Sequence, residues 1–216
     1  MSDVRATAIT DAEWLHGRLE LARRLYGPAP ARVLGTVWWY SASSVLVAPP
    51  LESLVASGVA LDPALDAITL RIQPDGRLLG AASSRPFAGD VIELGAAYGA
   101  ALRPAISCVA EACGARERSL WAIAADSIGN RLLWAGQAAG DVERAIALAG
   151  PLAEGIGDVT GEVMPRPRFL RVGPHTVVRR VSCCLIDKAT GQEKCTSCPN
   201  QHPDVRTDRI RAALGA

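Results

Sequence analysis

Lysine is almost missing from this chain. Of 23 basic residues only Lys188 and Lys194 are lysine, and arginine supplies the rest. Phe and Tyr are sparse as well, at two and three residues. With a sequence pI near 7.6 and no basic face studded with aromatics, the chain lacks the footprint of a nucleic-acid binder. There is no Walker phosphate loop, no dinucleotide fingerprint, no His-Glu-x-x-His and no Gly-x-Ser-x-Gly, so an internal flavin or nicotinamide site has no support. The opening stretch Met1–Thr7 has no apolar core of a secretory signal. A cytoplasmic setting is therefore expected, where thiols stay reduced and disulfides are rare. No internal repeat or low-complexity stretch interrupts the sequence.

What is present is a chain of 216 residues, 49% hydrophobic, enough for one domain with a real core or a domain with an appendage. Charge is uneven. Residues 1–160 carry 13 Arg against 17 acids, net −4, and residues 161–216 carry 10 Lys+Arg against 5 acids, net +5, which together give the overall +1. This break, with a linker made of Gly155-Ile-Gly157 and Pro165-Arg-Pro167, divides the chain into a helix-rich body, 1–160, and a basic C-terminal segment, 161–216.

Asp11 reads as the N-cap of a helix whose apolar face includes Trp14, Leu15, Leu19 and Leu25, ended by Gly27-Pro-Ala-Pro30. Residues 33–51 contain no charge, long enough for a membrane span. Thr36, Ser41, Ser43, Ser44 and the closing Pro49-Pro50 favour a buried central helix instead, with a separate short helix from Leu51 to Ser57. Trp38, Trp39 and Tyr40 within it are core residues or the wall of a ligand pocket. Residues 67–84 alternate at period two around Pro74-Asp75-Gly76, a hairpin. Helices follow over 90–113, with a kink or break at Pro104, over 117–135 with breaks at Gly136 and Gly140, and from an Asp141 cap to about Glu154. Asp126 and Asn130 in the second of these form a polar pair that faces a ligand or, the preferred reading, solvent. The β-branched stretch Phe169–Val181 adds one or two strands. The fold class is thus α+β: a mostly helical body, a small antiparallel hairpin or sheet, and a cysteine-rich C-terminal segment.

Four of the six cysteines, Cys183, Cys184, Cys195 and Cys198, fall in the C-C-x10-C-x2-C pattern, followed by Pro199. Four thiols so close in polar sequence mean a metal, a cluster or disulfides. Cys-x-x-Cys lets two thiolates converge from a tight turn, and proline fixes the exit backbone. The vicinal pair counts against ordinary structural zinc, which uses two spaced pairs. Both its side chains reach one site only if the backbone bends there. Four thiolates suit a [2Fe–2S] centre, two per iron, the simple division being the vicinal pair on one and the Cys-x-x-Cys pair on the other. The residues themselves leave a metal and a cluster both open. Cys108 and Cys113, five apart on a helix, read as core thiols.

The same pattern, preceded by Arg179-Arg180, resembles the FhuF family of ferric iron reductases, and Leu120-Trp121 upstream fits the family's layout. The resemblance implies that Cys183, Cys184, Cys195 and Cys198 bind a [2Fe–2S] cluster and that the protein reduces Fe(III) held by a siderophore. An external donor, a ferredoxin or a flavin reductase, would supply the electron. It makes Arg179, Arg180, Lys194 and His202 candidates for tuning the cluster or docking its partners; His175 has no assigned role. Two other readings share the cysteines: an iron–sulfur electron carrier or sensor with no substrate of its own, and a zinc-bound structural module.

Overall fold

Asp11 accepts the Trp14 backbone N–H at 2.8 Å and starts α1, Ala12–Tyr26, which Gly27 ends. The structure, a computed structural model, describes residues 1–161 and 164–215. α2, Ala31–Ser57, follows as the central helix and is buried along most of its length. The expected stop at Pro49-Pro50 does not occur, and residues 51–57 continue the same helix. A proline inside a helix costs about 3 kcal/mol, whereas each buried Val or Leu of this helix returns about 1.5–3 kcal/mol. In the same turn the Tyr98 hydroxyl donates to the Val47 carbonyl at 2.9 Å.

The hairpin is present as β2, Ile68–Ile72, and β3, Leu78–Ser83, with Gly76 in the turn at φ 92°. It gains a third antiparallel strand, β1, Ser2–Arg5, on the far side of β2. Four mostly exposed residues gave no sign of that strand. Ile68, Leu70 and Ile72 of β2 point into the core, and Thr69 and Arg71 point away from it.

α3, Val91–Cys113, begins with a capping box between Asp90 and Glu93 and runs unbroken past Pro104 to Gly114. α4, Glu117–Ala139, passes through Gly136 and ends at Gly140. Beyond the Asp141 cap the expected single helix is two, α5, Val142–Ala147, and α6, Ala149–Thr160. α6 takes in Gly155-Ile-Gly157, which read as the start of a linker. These glycines serve close packing rather than chain breaking. A Cβ on Gly155 would lie 1.9 Å from the Ile92 carbonyl oxygen, and one on Gly95 would lie 2.4 Å from that of Leu152. α3 and α6 therefore approach nearly backbone to backbone.

α4 is fixed in register against α2 by buried polar contacts. Trp39 Nε1 donates to the Leu120 carbonyl at 2.9 Å, and the Ser43 and Ser127 hydroxyls meet at 2.8 Å. Arg131 reaches the Ser44 carbonyl and Glu52, both at 2.9 Å. The C-terminal part comprises a two-stranded ribbon, β4, Phe169–Val172, and β5, His175–Val178, then α7, Ile186–Thr190, and α8, Pro203–Leu214. Among the described residues no helix is long and apolar enough to cross a membrane.

Gly155→Ala is expected to lower stability by at least the ~1–3 kcal/mol typical of overpacking, read as a fall in the urea midpoint. Gly150→Ala in the same helix, where a Cβ meets nothing within 4 Å, is expected to leave the midpoint unchanged or raise it slightly.

Candidate metal centre

After β5 the chain turns onto α4, and one buried carboxylate there decides its path. Asp126, fully buried, accepts the backbone N–H groups of Val181 and Ser182, each at 3.0 Å, and the Ser182 hydroxyl at 2.6 Å. The expected solvent-exposed face for Asp126 is therefore wrong. The carboxylate is the anchor that delivers the chain to Cys183, and its i, i+4 partner Asn130 is half-buried beside it on the helix. Burial raises the Asp126 pKa, and the three donors together with Arg180 offset part of that rise.

The bend that a vicinal pair requires falls at Leu185, whose φ of 61° is the one positive value at a non-glycine among the described residues. The left-handed conformation costs a side-chain-bearing residue about 1–2 kcal/mol. It turns the backbone so that the Leu185 and Ile186 N–H groups bond the Cys183 and Cys184 sulfurs. α7 then packs Leu185, Ile186 and Ala189 against Val33 and Val37 of α2. Cys195 and Cys198 sit in a tight turn closed by the Cys198 N–H on the Cys195 carbonyl at 3.0 Å. The Gln201 amide donates to the Cys195 carbonyl at 2.9 Å and the Thr196 carbonyl at 3.2 Å, and Arg209 of α8 holds its oxygen at 2.7 Å.

All four predicted cysteines are free thiols, and the fold brings them together as two pairs. Cys183 Sγ lies 3.8 Å from Cys198 Sγ, and the Cys195 thiol donates to Cys184. The pairs thus cross the motif, one member from each end, and do not follow the vicinal and Cys-x-x-Cys division. A separation of 3.8 Å matches the edge of a tetrahedron built on metal–sulfur bonds of about 2.3 Å. Among the described residues no three Cys, His, Asp or Glu side chains converge on a single metal ion. A two-by-two arrangement fits a binuclear centre, which takes two thiolates per iron, better than one tetrahedral ion.

Arg180 lies against the second pair, its Nη1 at 3.5 Å from Cys195 Sγ and 4.0 Å from Cys184 Sγ. It is buried, stacks over the Tyr40 ring at 4.8 Å and stands 3.6 Å from Asp126, with Nε and Nη2 left without acceptors. A buried guanidinium short of acceptors beside two thiols is suited to an anionic cluster. Burial works against its charge, but its electrostatic interactions with Tyr40, Cys184, Asp126 and Cys195 outweigh that and shift its pKa upward. Burial likewise pushes the Cys183 thiol up to about 11, while Cys184, accepting from Cys195 and near Arg180, falls to about 5.

The remaining candidates lie elsewhere. Arg179 is exposed and extends the ribbon through its N–H to the Arg168 carbonyl at 2.8 Å. Lys194 donates to the Asn200 carbonyl at 2.8 Å, and His202 caps α8 by accepting the Asp204 N–H. His175 is exposed on β5. Cys113 is buried and donates to the Val109 carbonyl, and Cys108 packs at the edge of the same core on α3. Trp39 is core, whereas Tyr40 one residue on faces Arg180.

A helical body carrying four paired thiols and a buried arginine suits an iron–sulfur protein. Residues 180–199 match the model of the FhuF 2Fe-2S C-terminal domain, a span from the buried arginine to the proline after the last cysteine. The match bears out the resemblance read from the cysteine spacing and supports membership of the FhuF family; the cofactor of this segment is a [2Fe–2S] cluster. No curated protein matches the chain.

Replacing Asp126 by Ala is expected to cost about 3–5 kcal/mol, because it breaks a buried charge pair with Arg180, besides freeing two backbone N–H groups. Chemical denaturation of the metal-loaded protein measures the loss. Asp126→Asn, which keeps one acceptor, is expected to lose less.

Proposed function

We propose that the chain reduces ferric siderophore complexes by one electron through a [2Fe–2S] cluster held by Cys183, Cys184, Cys195 and Cys198. Cys183 and Cys198 would hold one iron, and Cys184 and Cys195 the other. The observation that carries this reading is the grouping of four thiols in crossed pairs, with one of each pair, Cys183 and Cys195, only half-buried. When bound, such a cluster supplies a one-electron couple. The hard oxygens of a siderophore hold Fe(III) much better than Fe(II), so one electron loosens the complex without cutting the chelator. An external one-electron donor, a reduced ferredoxin or a flavin reductase, fits a chain with no nucleotide fingerprint.

The protein's own residues set the energetics. Arg180 places a positive charge beside the Cys184 and Cys195 sulfurs, which favours the more negative, reduced state and raises the potential. The Leu185 and Ile186 N–H groups act in the same direction on Cys183 and Cys184. Tyr40 and Asp126 hold the guanidinium in place.

Anaerobically purified protein is expected to contain two irons and two acid-labile sulfides per chain and to be red-brown. Its dithionite-reduced form is expected to be reoxidised by ferric chelates with one electron per chain; one zinc with no sulfide would overturn the reading. Cys195→Ser is expected to abolish the visible spectrum, and Cys108→Ala to leave iron content intact. Arg180→Gln is expected to lower the midpoint potential by on the order of 59 mV, a tenfold change in a one-electron equilibrium, with Arg180→Lys retaining most of it; redox titration reads the shift.

A further inference from the structure

Cys183 is half-buried and borders open space of substantial volume. A cleft of about 470 Å³ runs from it between the first turn of α2 and the first turn of α4, within the range of about 300–1,000 Å³ usual for small-molecule sites. Val181, Ser182 and Cys183 line one side of it, and Arg32, Arg116 and Arg118 line the others. No acidic residue is among its lining residues. The nearest acid by sequence, Glu117, is engaged with the Ser107 hydroxyl of α3 at 2.9 Å. The three arginine side chains are exposed and make no ion pair or hydrogen bond among the described residues. Much of the chain's other arginine is committed, as with Arg85 to Asp62 and Asp66 or Arg131 to Glu52.

We propose that this arginine-lined cleft beside Cys183 seats the ferric chelate and selects chelates of net negative charge, those in which catecholate or α-hydroxycarboxylate oxygens hold the iron, over neutral hydroxamate complexes. The proposal rests on the reductase reading above and adds to it the place of binding and the charge class of the substrate. A tris-catecholate complex of Fe(III) is trianionic and a tris-hydroxamate complex is neutral, so the three guanidinium groups distinguish the two by charge alone. Guanidinium also pairs with carboxylate and catecholate oxygens through parallel N–H donors, which a point charge does not. Cys184 and Cys198 are buried, and Arg180 over Tyr40 lies beside the Cys184 and Cys195 pair. Cys183 is the cysteine among the lining residues of the arginine cleft, so the chelate meets the protein on the Cys183 side. Chelated Fe(III) gains one electron and becomes Fe(II), the reduced centre loses one, and no covalent bond of the chelator forms or breaks.

The test uses the full, cluster-loaded chain and gallium(III) chelates, which keep the charge and shape of the ferric ones but take no electron. Gallium tris-catecholate is expected to bind by calorimetry and to weaken as salt rises. It is expected to weaken about threefold to tenfold in each of Arg32→Gln, Arg116→Gln and Arg118→Gln and more than tenfold in the triple variant, with Arg118→Lys retaining most of the binding. Gallium tris-hydroxamate is expected to bind weakly and to ignore all four changes. Unchanged cluster absorbance shows that the variants are intact, and the salt series on the unaltered protein needs no variant. Equal binding of both chelates, or tris-catecholate binding indifferent to salt and to the arginines, overturns the proposal. So does a result in which the arginine variants leave chelate binding alone but slow reduction by an acidic ferredoxin, which makes the cleft the donor's dock. The underlying reductase reading fails separately, when neither ferric tris-catecholate nor ferric tris-hydroxamate reoxidises the dithionite-reduced protein.

Discussion

The carboxylate of Asp126 is the interaction on which the cysteine segment depends. It sits in the middle of α4, out of contact with water, and its acceptor capacity is spent on Val181, Ser182 and the charge of Arg180. A buried carboxylate is costly to keep ionised, and this one is compensated only while the C-terminal chain lies across it. The body and the segment therefore complete each other's hydrogen bonding. The register of α4 matters for the same reason: the Trp39–Leu120, Ser43–Ser127 and Arg131–Ser44 contacts with α2 fix where along the helix the carboxylate stands.

From that anchor follow two faces of unlike character. On one, the buried Arg180 is clamped between Tyr40 and the Cys184–Cys195 pair. On the other, Cys183 borders a cleft lined by exposed arginines. Separating the group that sets a potential from the surface that meets a partner lets each vary without disturbing the other. Arginine's planar, delocalised charge is suited to both positions, stacked and dry at 180, solvated and outward at 32, 116 and 118.

Much of this was legible in the sequence, for identifiable reasons. Caps with side-chain oxygens, Asp11, Asp90 and Asp141, marked their helices correctly because the bond is local. Glycines and prolines misled wherever tertiary packing overrode local preference: Pro49-Pro50 and Pro104 sit inside helices held by burial, and Gly155 is in α6 because a neighbouring backbone occupies the space a side chain would need. The cysteines stood out because their spacing is a chemical requirement. Asp126, Tyr40 and Gln201 did not, because their partners stand at sequence separations of 6 to 140; Asp126 at i, i+4 from Asn130 looked like any polar helix face. The one hint was a carboxylate directly after the apolar run Leu120 to Ala125.

The ten residues between the two halves of the cysteine motif are usually read as a spacer. Here they contain α7, whose Ile186 and Ala189 cover Val33 and Val37 at the start of the longest helix. That insert is thus a docking element, packed on the body of the chain. A peptide cut out at 183–199 would hold every sulfur and none of the surfaces that bring them to 3.8 Å, so affinity for the cofactor is a property of the docked segment and is shared with the rest of the chain.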